Sequence, residues 1–186
     1  MKRKLQSLLL VLVATIFGSA LLYASNSVSK SEYKHFTDPN PLVHEQSFQL
    51  VYNGIVLKDG ATLDIAAIIT DLTEFMPDYY MVEAKTNDAE NALNIHNLTN
   101  DVLSATVTVE VLEDVEGTAY SLCSFGDCFP VRGGRGQKTG NIVAYGEAET
   151  GWDVTFTHGM TGTAKTKLTV TVGEETQTVY VNFVYN

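Results

Sequence analysis

The chain has 186 residues, of which 45% are hydrophobic and 18% charged, with 22 acidic against 12 basic side chains and a net charge of −10. This length and composition suit a single globular domain with a sizeable core. Such an acidic balance lacks the basic surface that displaces counterions from nucleic acid, and it opposes adsorption to anionic lipid, so we expect neither partner.

The N-terminus has the layout of a secretory signal peptide. Basic residues at positions 2–4 precede an apolar run over 8–23, and small residues provide cleavage points after Ala20 or Ala24. The uninterrupted apolar stretch is shorter than the ~20 residues of a spanning helix, which favours cleavage over a permanent anchor. We assign residues 1–24 to a signal peptide and expect an exported protein (periplasmic, cell-surface or extracellular), with no membrane insertion after signal removal.

Two regions follow the signal peptide. Residues 25–44 are polar and interrupted by proline, which is typical of a linker. From residue 45 onward short apolar runs alternate with turn signals, and we assign 45–186 to one domain. Signal removal takes away three basic and no acidic residues, which leaves nine basic side chains and a net charge of −13.

Period-two alternation of apolar and polar residues marks the strands of this domain. Hairpin turn signals lie at 53–54 and 59–60, and a polar turn at 173–175 joins two clearly alternating strands at the end of the chain. Strands are predicted at 48–52, 55–57, 62–65, 79–85, 92–97, 103–112, 141–145, 167–172 and 178–185. Residues 65–69 are also compatible with the start of a short helix, which Pro77 would end.

Seven to nine short strands without helical crossovers predict an all-β fold, an antiparallel β-sandwich or barrel, of which we favour the sandwich. The immunoglobulin signature of two distant cysteines around a core tryptophan is missing, because the cysteines are close in sequence and Trp152 follows both. We therefore predict an immunoglobulin-like sandwich that is not an immunoglobulin domain proper.

The two cysteines of the chain, Cys123 and Cys128, are separated by four residues. In an oxidising compartment such a pair is most simply a local disulfide. Closing so small a loop contributes roughly 2 kcal/mol on the chain-entropy model, so the disulfide is expected to fix one loop and not the whole fold. A redox-active role is disfavoured because the spacing is not that of Cys-x-x-Cys oxidoreductases.

Several turn and loop motifs together carry a resemblance. They are a Tyr-Asn-Gly and a Lys-Asp-Gly turn, an Asn-Leu-Thr before a long alternating strand, and a Cys-x4-Cys-x-Pro loop from Cys123 to Pro130. Over about residues 45–186 the chain resembles small immunoglobulin-like domains of secreted Bacteroidetes proteins. The resemblance implies an accessory or adhesion-type module and no catalytic residues.

A basic, glycine-rich segment follows the cysteines. Arg132, Arg135 and Lys138 are three of the nine remaining basic residues, and they come directly after Phe125 and Phe129. Arginine and aromatic side chains dominate binding hot spots, so these five residues are the predicted partner contacts, for a protein, an acidic glycan or another copy of the chain. The alternative is a solvated, mobile loop whose phenylalanines fill one end of the sandwich. The segment lacks the glycine that a P-loop requires before its lysine.

No motif indicates catalysis, a metal or a cofactor. The four histidines lack zinc-ligand spacing, and the acidic residues lack an EF-hand pattern. His158 lies near Asp153 in sequence, and Ser121 and Ser124 are candidate nucleophiles, but no Gly-x-Ser-x-Gly elbow accompanies them. An N-glycosylation sequon begins at Asn97, although in a bacterial protein this match alone predicts no glycan.

The leading hypothesis is an exported, non-catalytic binding or adhesion module of unknown ligand. One alternative is a carbohydrate-binding module, in which Tyr79, Tyr80 and Trp152 stack on sugar rings. A second alternative is a secreted hydrolase, which needs two facing carboxylates or a histidine beside a serine.

Overall fold

The computed structural model describes residues 46–87 and 91–186, in which the chain forms thirteen strands and no helix. The predicted signal peptide with its two cleavage points, and the predicted linker at 25–44, lie outside the described residues. The strands are β1 (Phe48–Tyr52), β2 (Ile55–Val56), β3 (Ala61–Ala66), β4 (Ile68–Asp71), β5 (Tyr80–Lys85), β6 (Leu93–Asn97), β7 (Leu103–Glu113), β8 (Ala119–Ser124), β9 (Asp127–Pro130), β10 (Arg135–Ile142), β11 (Glu147–Phe156), β12 (Gly162–Val172) and β13 (Glu175–Tyr185).

The first sheet has eight strands arranged around β11. The N-terminal part of β11 pairs with β6 and its C-terminal part with β5. β5 and β6 therefore lie one after the other alongside β11. β1 and β2 continue the sheet beyond β6, and β4 continues it beyond β5. β11 also pairs with β8, and β8 pairs with β9.

The second sheet has five strands in the order β10-β7-β12-β13-β3. Its pairings are antiparallel except that between β13 and β3, which is parallel. The parallel pair arises because the chain leaves the first sheet after β2 and runs along β13 before it returns as β4. The predicted antiparallel sandwich is confirmed, with this one parallel edge.

Alternation along the strands supplies the core between the sheets. On β7 the side chains of Val107 and Val109 are fully buried, whereas Thr106 and Thr108 lie on the outer face and remain partly exposed, as predicted. The same alternation on β11, in the first sheet, places Trp152, Val154 and Phe156 in the core. Each sheet thus contributes one apolar face, and the two faces pack together.

A buried glutamine links the two sheets. Gln177 on β13 accepts a hydrogen bond from the backbone N–H of Leu50 on β1 (2.9 Å) and donates one to the carbonyl of Leu57 (2.7 Å). These bonds provide partners for the buried N–H of Leu50 and the partly buried carbonyl of Leu57. The linkage fixes the position of the first hairpin on the second sheet.

Three sequence-based expectations about local structure are wrong. The described residues form thirteen strands, more than the seven to nine predicted. Residues 65–69 form no helix, because β3 ends at Ala66 and β4 pairs with β5, while the N–H of Ala67 donates to Val184 (2.8 Å). The strand predicted at 141–145 ends at Ile142, and the chain then turns with Tyr145 at a positive φ of 53°.

Candidate functional site at the disulfide hairpin

The hairpin of β8 and β9 forms one side of the candidate surface. Its two-residue turn consists of Phe125 and Gly126, both with positive φ (54° and 82°), which is the geometry of the tight turns that suit twisted strands. Cys123 and Cys128 lie directly opposite each other and form a disulfide with a Cα–Cα distance of 4.0 Å. The predicted local disulfide is therefore confirmed, and it joins two paired strands.

The hairpin folds over two glycines of β10. A β-carbon added to Gly140 would lie within 2.6 Å of both Cδ atoms of Phe125, and one added to Gly136 would lie 3.6 Å from Cε2 of Phe129. Both phenylalanine rings therefore pack against bare backbone, and both side chains are half-buried. These are the contacts expected if the phenylalanines close one end of the sandwich.

Lys138 lies between the two glycines on the same face of β10. Its Nζ forms an ion pair with Asp127 on β9 and lies 6.0 Å from the ring centroid of Phe129. Only 24% of the lysine side chain is exposed. Lys138 thus joins an edge strand of the second sheet to an edge strand of the first. Most of its side-chain surface is buried by contacts within the protein.

The remaining two predicted contact residues lie on the solvent side. Arg132 and Arg135 flank a turn at Gly133 and Gly134, whose φ values of 63° and 75° favour glycine, and we call residues 132–135 the arginine turn. The N–H of Arg135 donates to the carbonyl of Arg132 at 3.5 Å. The segment predicted as a glycine-rich loop is therefore a short turn followed by β10, which pairs along its whole length with β7.

The electrostatic surroundings leave these arginines largely available. Arg135 is 65% exposed, and its Nη1 lies 4.0 Å from Glu110, at the limit of an ion pair. Glu110 is more strongly engaged by Lys167, whose hydrogen bond lowers the pKa of that carboxyl. Arg132 is exposed and forms no ion pair with any residue that the structure describes. The turn therefore presents two guanidinium groups to solvent on an otherwise acidic protein.

The candidate catalytic residues are brought together only in part: Ser121 lies directly opposite Asp153 where β8 pairs with β11. Asp153 lies 3.9 Å from Lys85, and partial burial raises the pKa of its carboxyl while the lysine opposes the rise. His158 lies in the turn that follows β11, and its ring stacks on that of Tyr80 with the ring centroids 4.2 Å apart. Ser124 is buried and shares a hydrogen bond with a threonine of β11. No cluster of three or more metal-ligating side chains occurs within residues 46–87 and 91–186.

The tryptophan of the predicted sugar platform belongs to the core. Trp152 is fully buried, and its ring packs edge-on against Tyr120 (6.0 Å) and Phe183 (6.4 Å). Trp152 therefore cannot belong to the sugar platform of the carbohydrate-binding alternative. Tyr79 remains exposed, whereas one face of Tyr80 is covered by His158.

The sequon asparagine is also structural. Asn97 is buried, and its Nδ2 lies within hydrogen-bond distance of the carbonyls of Asp101, Ile142 and Val143 (2.7, 3.2 and 2.9 Å). Its Oδ1 accepts from the backbone and the hydroxyl of Thr99. Attaching a glycan to Nδ2 would break these bonds, so Asn97 fixes the chain where β6 and β10 end.

The comparisons with known proteins agree with this architecture. The N-terminal domain of PorA has a TM-score of 0.54 and 19% identity, with 75% of this chain and 97% of that one covered. The fold is an immunoglobulin-like β-sandwich. Weaker similarity, with TM-scores below 0.5, is found to CfaE, the adhesive subunit of CFA/I fimbria of enterotoxigenic Escherichia coli (0.41, 10% identity, 75% and 49% covered), and to PapD-like domain 7 of human CEP192 (0.34, 10% identity, 83% and 95% covered). No family model and no curated protein matches the sequence.

Two features of the site escaped sequence reasoning, although each leaves a signal. Gly136, Lys138 and Gly140 are spaced two residues apart, which places the lysine side chain between two glycines on one face of a strand. Asp127 lies inside the disulfide loop, eleven residues before its lysine partner. Its charge is visible in the sequence, but the contact depends on how the two sheets meet.

Proposed function

We propose that the protein is an exported, non-catalytic binding module of the adhesion type, and that it contacts its partner through the arginine turn. The observation that carries the proposal is the pair of exposed guanidinium groups of Arg132 and Arg135 on a supported turn. The disulfide, the phenylalanine–glycine contacts and the Lys138–Asp127 pair brace the strands on either side. A contact surface held in place before binding loses less conformational entropy when the partner docks.

The chemistry of the turn favours an acidic partner. Guanidinium groups bind carboxylate, sulfate and phosphate oxygens with two parallel hydrogen bonds. The rest of the molecule is acidic and repels such groups, so long-range electrostatics would direct an anionic ligand to this turn. The resemblance to small domains of secreted Bacteroidetes proteins supports export, and a local disulfide suits an oxidising compartment.

The proposal is tested with a panel of immobilised glycans and peptides, in which neutral members are matched to uronic-acid, sulfated and aspartate-rich ones. We expect the wild type to bind acidic members selectively, and R132A/R135A to lose that binding. Lys58→Ala is the matched control, because Lys58 is an exposed cation in another turn. Equal binding by the wild type and the double variant, or no preference for acidic members, would remove the arginine turn as the contact surface.

A further inference from the structure

An exposed sheet edge lies at β4. This strand pairs with β5, lies at the end of the first sheet, and has all four of its residues exposed, including Ile68 (57%) and Ile69 (50%). The following turn exposes Phe75 (78%) and Met76 (51%). Proteins usually protect such an edge with charged residues, proline, a bulge or a short strand; β4 is short but has only one charged residue, Asp71, and no lysine or proline. An exposed apolar edge of this kind marks a site of interaction.

The same edge is acidic. Asp71, Glu74 and Asp78 are exposed among its apolar residues, and no lysine, arginine or histidine occurs between Lys58 and Lys85. A hydrogen bond from Thr73 lowers the pKa of the Asp71 carboxyl, which even at its ordinary pKa is charged at neutral pH. We call β4 and residues 72–79 the acidic edge. Its chemistry fits an extended segment that carries cations.

The arginine turn lies on the opposite lateral side of the sandwich. β3 and β4, the edge strands on one side, are joined through Ala67, whose N–H is bonded to the second sheet. β9 and β10, the edge strands on the other side, are joined by the segment that contains Arg132 and are bridged by Lys138 and Asp127. One molecule therefore carries an acidic, apolar edge on one side and a basic edge on the other.

We propose that the acidic edge receives the arginine turn and the adjoining β10 edge of a second copy of this chain. The inference rests on the proposed function, because it assigns a partner to the same two arginines. β10 would add to the free side of β4, while Arg132 and Arg135 face the carboxylates of Asp71, Glu74 and Asp78. The two edges differ, so each added copy leaves one edge of each kind free, and the assembly grows head to tail beyond a dimer.

Sedimentation velocity of the full chain as processed on export tests this assembly. We expect the wild type to form a concentration-dependent series of oligomers that extends beyond the dimer. R132E/R135E and D71K/E74K/D78K each place like charges in contact, which should raise the concentration for half-association by about 100-fold or more. An equimolar mixture of the two variants restores opposite charges and should associate again. Lys58→Glu, which reverses an exposed charge outside the acidic edge and the arginine turn, should associate as the wild type does.

A second arm separates this inference from the proposed function. R132E/R135E is added in small amounts to the wild type. The variant keeps its acidic edge, so it should bind the free arginine turn of a growing assembly. Because it has no arginine turn of its own, no further copy can add, and the assemblies should become shorter. Head-to-tail assembly is overturned if the wild type stays monomeric or stops at a dimer. It is also overturned if the equimolar mixture of the two variants does not associate. If such a monomer still binds acidic glycans or peptides through its arginines, the binding module stands and only the self-association is lost. Circular dichroism of each variant confirms that it is folded.

Discussion

The packing of the disulfide hairpin on β10 is tested by Gly140→Ala. The added methyl group would lie within 2.6 Å of three Phe125 ring carbons, whereas unstrained carbon atoms stay about 3.5–4.0 Å apart. The ring must therefore shift by roughly 1 Å or leave its site, and overpacking of this kind costs about 1–3 kcal/mol. Replacing a strand glycine by alanine otherwise stabilises by about 0.5–1 kcal/mol, so the net loss expected is about 1 kcal/mol.

A double-mutant cycle isolates this contact. With Phe125→Ala in the background the clash is gone, and Gly140→Ala should then stabilise by about 0.5–1 kcal/mol. Urea unfolding of the four proteins gives each free energy, and unchanged slopes show that the unfolded states are comparable. Gly136→Ala, whose nearest neighbour is a valine methyl at 3.1 Å, should cost less than Gly140→Ala. An equal effect of Gly140→Ala with and without the phenylalanine would refute the packing described here.

Three further effects are expected. Replacing Cys123 and Cys128 by serine should lower the free energy of unfolding by about 2 kcal/mol and leave the far-ultraviolet circular dichroism spectrum unchanged; loss of the whole fold would contradict the local role of the bond. Asn97→Ala should cost about 2–4 kcal/mol in urea unfolding, since it leaves several buried backbone groups without partners, and a neutral result would mean that water replaces the amide. Asp153 has a raised pKa because burial disfavours its charged form, so the folded protein holds this proton more tightly than the unfolded chain and stability falls as the pH rises above the ordinary value of 3.8. Asp153→Asn should therefore be more stable than the wild type at pH 7 but not at pH 3, and a gain that persists at pH 3 would exclude this cause.

The parts of the fold that the sequence predicts are those with local signals. The hairpin of β12 and β13 combines strict alternation with a tight turn, and the hairpin of β1 and β2 contains an Asn-Gly pair. β4 was missed because a short apolar run has no diagnostic period, and its exposure at an edge leaves no alternation of burial to follow. Tertiary pairing with β5 decides its structure. The contact between Asp127 and Lys138 likewise depends on how two sheets meet, which no short-range pattern encodes.

The two cations of β10, Arg135 and Lys138, lie on opposite faces of the strand and therefore have different roles. A strand sends successive side chains to opposite faces, so Lys138 points inward to Asp127 and the phenylalanine rings, whereas Arg135 points outward to solvent. In sequence the two residues look equivalent. Lys138→Ala should therefore lower stability by about 1 kcal/mol through lost packing and a partly exposed ion pair, with little effect on binding to acidic probes.

Arg135→Ala should weaken binding to acidic probes and leave stability nearly unchanged. The Arg135 side chain is 65% exposed and lies at the distance limit of an ion pair with Glu110. Urea unfolding and binding to the acidic panel, measured on both variants, separate the two roles. If Lys138→Ala abolished binding at unchanged stability, the lysine would itself contact the ligand, and the inward face of β10 would have to open when the partner docks.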